Sequence, residues 1–214
     1  MNQTDLGAPK PTELYDGGRA PNPRRVRIFM AEKAIELPII QIDIAKKEHK
    51  TEGFTRLNPM QRLPVLVLEG GAVITESVAI CRYLEELYPE PNLFGRTPLE
   101  RAEVVMWNRR VELGLFASVA AVFRHLHPFM AEFEVPQIAA WGEANKTKVA
   151  EQLAFLDSEL DSRRFIAGER FTIADITALC AIEFMKPSRL ERPAHLLNLA
   201  RWWDEVSARP SIRP

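Results

Sequence analysis

The hydrophobic period of this chain switches repeatedly up to Tyr88 and is helical from there on, so two unlike domains share one polypeptide. In the first part, short β-branched runs alternate with stretches whose apolar residues recur every three or four positions. The break is Pro-Glu-Pro-Asn-Leu-Phe-Gly-Arg-Thr-Pro, positions 89 to 98, where three Pro and one Gly punctuate a polar segment. A length of 214 residues accommodates such a division, since a domain takes roughly 100 to 150. The expected boundaries are an N-terminal extension at 1–12, a first domain at 13–88, a linker at 89–96 and a second domain at 97–214.

The first domain opens with a short apolar strand at Leu14 and Tyr15, followed by a loop from Asp16 to Pro21. Asn22 and Pro23 read as a helix cap and a first helical residue, because the Asn side chain accepts from orphan amides and Pro lacks one. That helix is expected to reach about Ile35, with Val26, Phe29 and Met30 buried and Arg24, Arg25 and Arg27 outside. Ile39 to Ile44 is β-branched and alternating, and the intervening helix makes it a parallel partner of the first strand. Val65 to Leu68 and Ala72 to Thr75 flank Glu69-Gly70-Gly71 as a hairpin. A helix from Ser77 to Tyr88 follows, with Val78, Cys81, Leu84 and Leu87 on one face. The order βαβ, then a loop-rich segment, then ββα, is that of a thioredoxin-like α/β domain.

Beyond the linker every periodic segment is helical, so the second domain is expected to be all-α. Thr97-Pro98-Leu99-Glu100 is a capping box opening a long helix to about His127. Pro136 opens another, with Ile138, Trp141, Val149, Leu153, Leu156 and Leu160 at helical spacing. In Thr172-Ile173-Ala174-Asp175 the Asp can reach back to the Thr172 amide, a second cap and a structural role. His195 to Arg209 is the last amphipathic helix.

Composition narrows the function. The 28 Lys and Arg balance 29 Asp and Glu, which leaves no electrostatic footprint for nucleic acid or an anionic membrane. Cys81 and Cys180 are the only cysteines, so there is neither a disulfide framework nor a thiolate metal cluster, and a reducing, cytoplasmic compartment is expected. His125 and His127 diverge on a helix and make no metal site. The polar stretch Met1 to Thr12 resembles no targeting peptide, and Gly114 to Phe123 is too short to span a bilayer.

Three short segments carry chemistry. Leu63-Pro64 stands immediately before a strand, where Pro is normally excluded, and a cis peptide at a sharp entry is expected. Glu76-Ser77 lies where a strand becomes a helix, so the helix amides and the Ser hydroxyl can hold a carboxylate while Glu76 accepts from an ammonium. His49 and Lys50 fall in the polar loop after the second strand.

Taken in order, Arg19-Ala20-Pro21-Asn22-Pro23-Arg24-Arg25-Val26, Leu57-Asn58-Pro59-Met60-Gln61-Arg62-Leu63-Pro64-Val65-Leu66, Ile74-Thr75-Glu76-Ser77 and Phe171-Thr172-Ile173-Ala174-Asp175 resemble the cytosolic glutathione S-transferases. The likeness runs from Glu13 to Pro210. It implies that glutathione binds the first domain: Leu63, before cis Pro64, would pair with the cysteinyl part through its backbone, Glu76 and Ser77 would hold the γ-glutamyl group, and His49 and Lys50 would meet the glycyl carboxylate. It also implies a homodimer, and a small, hydrophobic electrophile received by the helical domain, with Trp107 and Arg110 as pocket candidates. No metal or nucleotide is implied.

The residue that activates the thiol departs from the usual pattern. The loop from Asp16 to Pro23 holds no Tyr, Ser or Cys. Asn22 resembles the Asn of bacterial and fungal Pro-Asn loops, where the amide donates to sulfur, and Arg19 is its rival through charge. Tyr15 is a third candidate, expected to pack within the strand. Two alternatives to transfer follow: glutathione-dependent disulfide reduction, in which two glutathiones do the exchange, and a non-catalytic glutathione-binding or scaffold role.

Overall fold

The computed structural model describes residues 7–212, in two compact units, Met1–Asn92 and Leu93–Pro214. The polar stretch 1–6 and the last two positions of the expected helical domain lie outside the described residues.

The first unit is a four-stranded sheet with helices. Strand β1 spans Pro11–Asp16, two residues earlier than the expected domain edge at Glu13, because Pro11 already pairs with Leu68. Helix α1 (Pro21–Glu32) returns the chain to β2 (Ile39–Gln41), which runs parallel to β1. A short helical turn at Glu48–Lys50 and helix α2 (Glu52–Leu57) precede the hairpin of β3 (Val65–Leu68) and β4 (Val73–Thr75). Gly70 and Gly71 turn that hairpin at φ 77° and 83°, values at which a side chain is strained. Helix α3 (Ser77–Leu87) closes the unit and packs on α1. The sheet order β2-β1-β3-β4, with one parallel and two antiparallel pairings, makes this the thioredoxin-like domain.

Several local expectations are corrected. The alternating run to Ile44 stops pairing after Gln41 because β1, its partner, ends at Asp16; the Ile42 amide makes a last bond to the Asp16 carbonyl at 2.8 Å. Helix α2, six residues capped by the Thr51 hydroxyl, is too short to show a period and was expected as loop. Helix α1 begins at Pro21, so Ala20 holds the cap position and Asn22 lies inside the first turn. Arg25 is not outside: it is 1% exposed, on the same helix face as Ile28 and Phe29. On α3 the buried face is Ser77, Ile80, Cys81, Leu84 and Glu85, with Val78 and Leu87 only partly covered.

The second unit is all-helical. Helix α4 (Pro98–Arg110), capped by Thr97, runs through a π-helical stretch at Val111–Phe116 into α5 (Ala117–Leu126). Helices α6 (Ala139–Leu160), α7 (Ile173–Met185) and α8 (Leu197–Ser207) follow. Eleven of the 13 residues of α7 are buried, as befits a helix apolar all round at the centre of a bundle. Ile138 and Trp141, expected on the buried face of α6, are 52% and 48% exposed, because the helix starts only after Ile138 and Trp141 turns outward under Lys148. Among the described residues, no helix is long and apolar enough to cross a membrane.

Candidate active site

Strand register decides which sequence segments meet. Tyr15 pairs with Val65, Val65 with Thr75, and Asp16 with Gln41. The residues just past these pairs, namely the loop from Gly17, the Leu63-Pro64 entry to β3 and the Glu76-Ser77 exit from β4, therefore share one end of the sheet. The Leu63-Pro64 peptide is cis. A Cβ on Gly17 would stand 2.8 Å from Ile44 Cδ1 and 3.1 Å from Leu63 Cδ1, so the βα loop lies close against Leu63 and a larger residue there would make these two methyls give way.

The loop is tied down from below. Asp16, fully buried, accepts from the Gly18 amide at 2.6 Å and pairs with Arg27, which also donates to the Gly18 carbonyl at 2.8 Å. With Ala20 at the cap, no side chain among the described residues makes a capping hydrogen bond to the start of α1. Two prolines follow, at 21 and 23, and neither has an N–H, while the Arg24 amide bonds back to the Ala20 carbonyl at 3.2 Å. The open, positive end of this helix therefore presents the Asn22 amide.

The Asn22 side chain is exposed, and its Oδ1 accepts from Arg25 Nη1 at 3.2 Å. The same Nη1 donates to Ser77 Oγ at 2.6 Å, and Ser77 Oγ lies 3.5 Å from Asn22 Oδ1. Asn22 and Ser77, 55 positions apart in sequence, are thus brought together over one buried guanidinium. Beside them Glu76 is exposed and sits at φ 67° and ψ 113°, a conformation that residues with side chains rarely hold and that tends to persist where a site needs it.

His49 and Lys50 lie in the turn before α2, His49 buried and Lys50 exposed. Burial pushes the His49 imidazole below its usual pKa, and the positive charges of Lys50 and Arg62 push it further. Arg62 immediately precedes Leu63, which sets this turn near the same end of the sheet. The loop carrying Gln61 and Arg62 is braced by buried Asn58, whose Nδ2 donates to the Arg62 carbonyl at 2.8 Å. Arg19 is exposed in the βα loop. Tyr15 donates its hydroxyl to Glu13 at 3.2 Å and sets its ring edge against Phe54; burial, then the bond to Glu13 and its charge, raise the phenol pKa. Its hydroxyl is thereby spent within the strand.

In the helical unit, Arg110 and Trp107 part company. Trp107 is a core residue, stacked on Phe155 and covered by the guanidinium groups of Arg110 at 4.7 Å and Arg163 at 4.4 Å. Its ring faces Phe155 of α6, and it is not among the residues that line the groove at Arg110. Arg110 does line an open groove of about 790 Å³, with Met106, Leu113 and Phe155.

Asp16, Arg25 and Arg27 were not among the candidate site residues, yet their bonds brace this end of the sheet. Asp followed by Gly-Gly after a strand is a turn signal that marks Asp16. Arg25, three residues after Asn22 and four before Phe29, falls on both the site and the core side of its helix.

Residues 20–87 match the family model for the glutathione S-transferase N-terminal domain, and residues 120–210 match that for the C-terminal domain. Glutathione S-transferase 2 of Saccharomyces cerevisiae is 34% identical over 203 residues, covering 94% of this chain and 87% of the relative. The crystal structure of a glutathione S-transferase domain-containing protein from Marinobacter aquaeolei VT8 is 38% identical with a TM-score of 0.91, covering 94% of this chain and 100% of that one. Gtt2 from Saccharomyces cerevisiae superposes with a TM-score of 0.90 at 34% identity, over 94% and 98% of the two chains. With both domain models matched in order and relatives aligned along almost its whole length, the chain belongs to the glutathione S-transferase family.

Proposed function

We propose that this protein is a glutathione transferase that activates the glutathione thiol without a Tyr, Ser or Cys and directs it at a small, hydrophobic electrophile. The observation that carries the reading is the meeting of Asn22, Ser77 and the Leu63-Pro64 entry at one end of the sheet, with Arg25 beneath. The donor set fits glutathione. Leu63 offers extended backbone for the cysteinyl part, the start of α3 with Ser77 offers donors to the γ-glutamyl carboxylate, and Glu76 an acceptor for its ammonium. His49, held neutral, and Lys50 are assigned to the glycyl carboxylate.

When bound, glutathione supplies the nucleophilic sulfur. The chain holds it as thiolate through the Asn22 side-chain amide and the open end of α1, with Arg19 adding positive charge from the loop. Lowering the thiol by two pKa units takes about 2.7 kcal/mol of preference for the charged form, within reach of one or two donors at a helix start. Asn22→Ala should lower kcat/KM for an activated aryl halide by about tenfold to a hundredfold, and Arg19→Ala by less. Turnover unchanged in both variants would rule this assignment out.

Disulfide reduction is the second reading, and the burial of both Cys81 and Cys180 bears on it: with no protein thiol exposed for a mixed disulfide, two glutathiones attack in turn, releasing the substrate's two thiols and leaving glutathione disulfide. Turnover of hydroxyethyl disulfide beside no turnover of the aryl halide would favour it, and glutathione binding with neither activity would favour a scaffold role. By family the protein is taken to act as a cytoplasmic homodimer in detoxification, which sedimentation at assay concentration tests for the dimer.

A further inference from the structure

We propose that Arg25 is the positioning residue of this site, setting the direction in which both Ser77 and Asn22 donate; the proposal rests on the glutathione reading above. The two protons of Nη1 have two acceptors, Ser77 Oγ at 2.6 Å and Asn22 Oδ1 at 3.2 Å. A serine hydroxyl that receives a guanidinium proton must turn its own proton elsewhere. The nearest acceptor is Asn22 Oδ1 at 3.5 Å, a long contact that an incoming carboxylate oxygen replaces at little cost. The Asn22 amide is polarised in the same way. Its oxygen is held towards Arg25, since a flipped amide would set Nδ2 against Nη1, donor against donor, and Nδ2 therefore faces away from the guanidinium.

Arg25 is 1% exposed, and its guanidinium is a planar cation. Solvent screens it little, and its charge reaches a bound anion through the Ser77 proton. One buried cation thus organises two donors that serve different parts of one ligand, the γ-glutamyl carboxylate and the sulfur. Lysine keeps the charge but not the planar pair of protons, so Arg25→Lys should unsettle both donors while sparing the core a loss of charge.

The test is equilibrium binding of S-methylglutathione, which has no thiol and reads the grip on the peptide alone, to the full-length protein and to Ser77→Ala, Arg25→Lys and the double variant. Each single change is expected to weaken binding by about tenfold, and the double change by no more than about threefold beyond either, because Arg25 acts through Ser77. Losses that multiply to about a hundredfold would overturn the proposal and leave the glutathione reading standing. No binding to the parent protein would overturn both. Should Arg25→Lys fail to fold, Asn22→Ala and Ser77→Ala supply a second cycle with glutathione as ligand. Coupling between them, transmitted by the shared Nη1, supports the proposal, and independence overturns it. A purely structural Arg25 would lower the melting temperature and leave the binding constant of the folded protein where it was.

Discussion

Trp202 donates its indole N–H to Asp175 at 2.8 Å, and neither residue has any solvent exposure. The same carboxyl accepts from the Ile166 amide and, through its other oxygen, from the amide and hydroxyl of Thr172, which completes the capping box of α7. Asp175 therefore joins the start of α7 to α8 and to the turn before it. Asp175→Ala should lower stability by about 3 kcal/mol or more, since each buried donor left without an acceptor costs about 1 to 3 kcal/mol. S-methylglutathione affinity of the folded variant should be unchanged, and an unaltered denaturant midpoint would contradict this account.

The same residue gives stability a pH dependence. Burial raises the Asp175 carboxyl to about 6, against the pull of its hydrogen bonds. A carboxyl with a folded value above its unfolded value near 4 takes up its proton more readily when folded. Its contribution is therefore full below about pH 4 and is lost as pH rises through about 6. Urea melts from pH 4 to 7 should show this decline in the parent protein and its absence in Asp175→Ala.

Lys33 and Glu85 form a buried ion pair at 2.7 Å, and the ammonium also donates to the carbonyls of Tyr88 and Pro91 at 2.7 and 2.8 Å. This cation fastens the chain that leaves α3 to the end of α1. Lys33→Met should cost about 3 to 5 kcal/mol, because it leaves a carboxylate in a dry site. Adding Glu85→Gln should recover part of the loss, and a double variant less stable than the single would refute the pairing as the cause.

Asp16 and Arg27 hold the βα loop in the same manner, from beneath Gly18. Asp16→Asn keeps an acceptor for the Gly18 amide and loses the charge for Arg27. On the proposed role of Asn22 at the sulfur, it should lower kcat more than it raises KM. A change confined to KM would place Asp16 in ligand binding.

His49 gives a titration with the opposite sign to that of Asp175. Its folded value lies below the ordinary 6.5, so its contribution to stability is full above 6.5 and is lost as pH falls through the lowered folded value. An NMR titration of the His49 ring should show a midpoint below that of a free imidazole. A midpoint at or above it would contradict the burial and the nearby charges of Lys50 and Arg62.

The thioredoxin-like unit was legible because its signals are local: β-branched runs, a Gly-Gly turn between two of them, and Pro64 at a strand entry. Register brings Leu63, Glu76 and Ser77, named from their motifs and the family resemblance, to one end of the sheet. Arg25 was misplaced because arginine is almost never fully buried, and its helix spacing with Ile28 and Phe29 was outweighed by its charge. The start of α1 was misjudged because Pro21 and Pro23 both suit a first helical position, and the helix takes the earlier one, with the Arg24 amide bonded to the Ala20 carbonyl. Trp107 could be placed on α4 by period, but that it faces Phe155 instead of open space depends on α6, far along the chain.

The central claim is that this fold ionises a borrowed thiol with Asn22 and the open start of α1. The direct measurement is a pH titration of thiolate absorbance for glutathione bound to the full-length protein. The bound thiol is predicted to titrate about two units below a free thiol near 8.5, to return most of the way in Asn22→Ala, and to stay low in Tyr15→Phe. A bound thiol that titrates where the free one does would contradict the account.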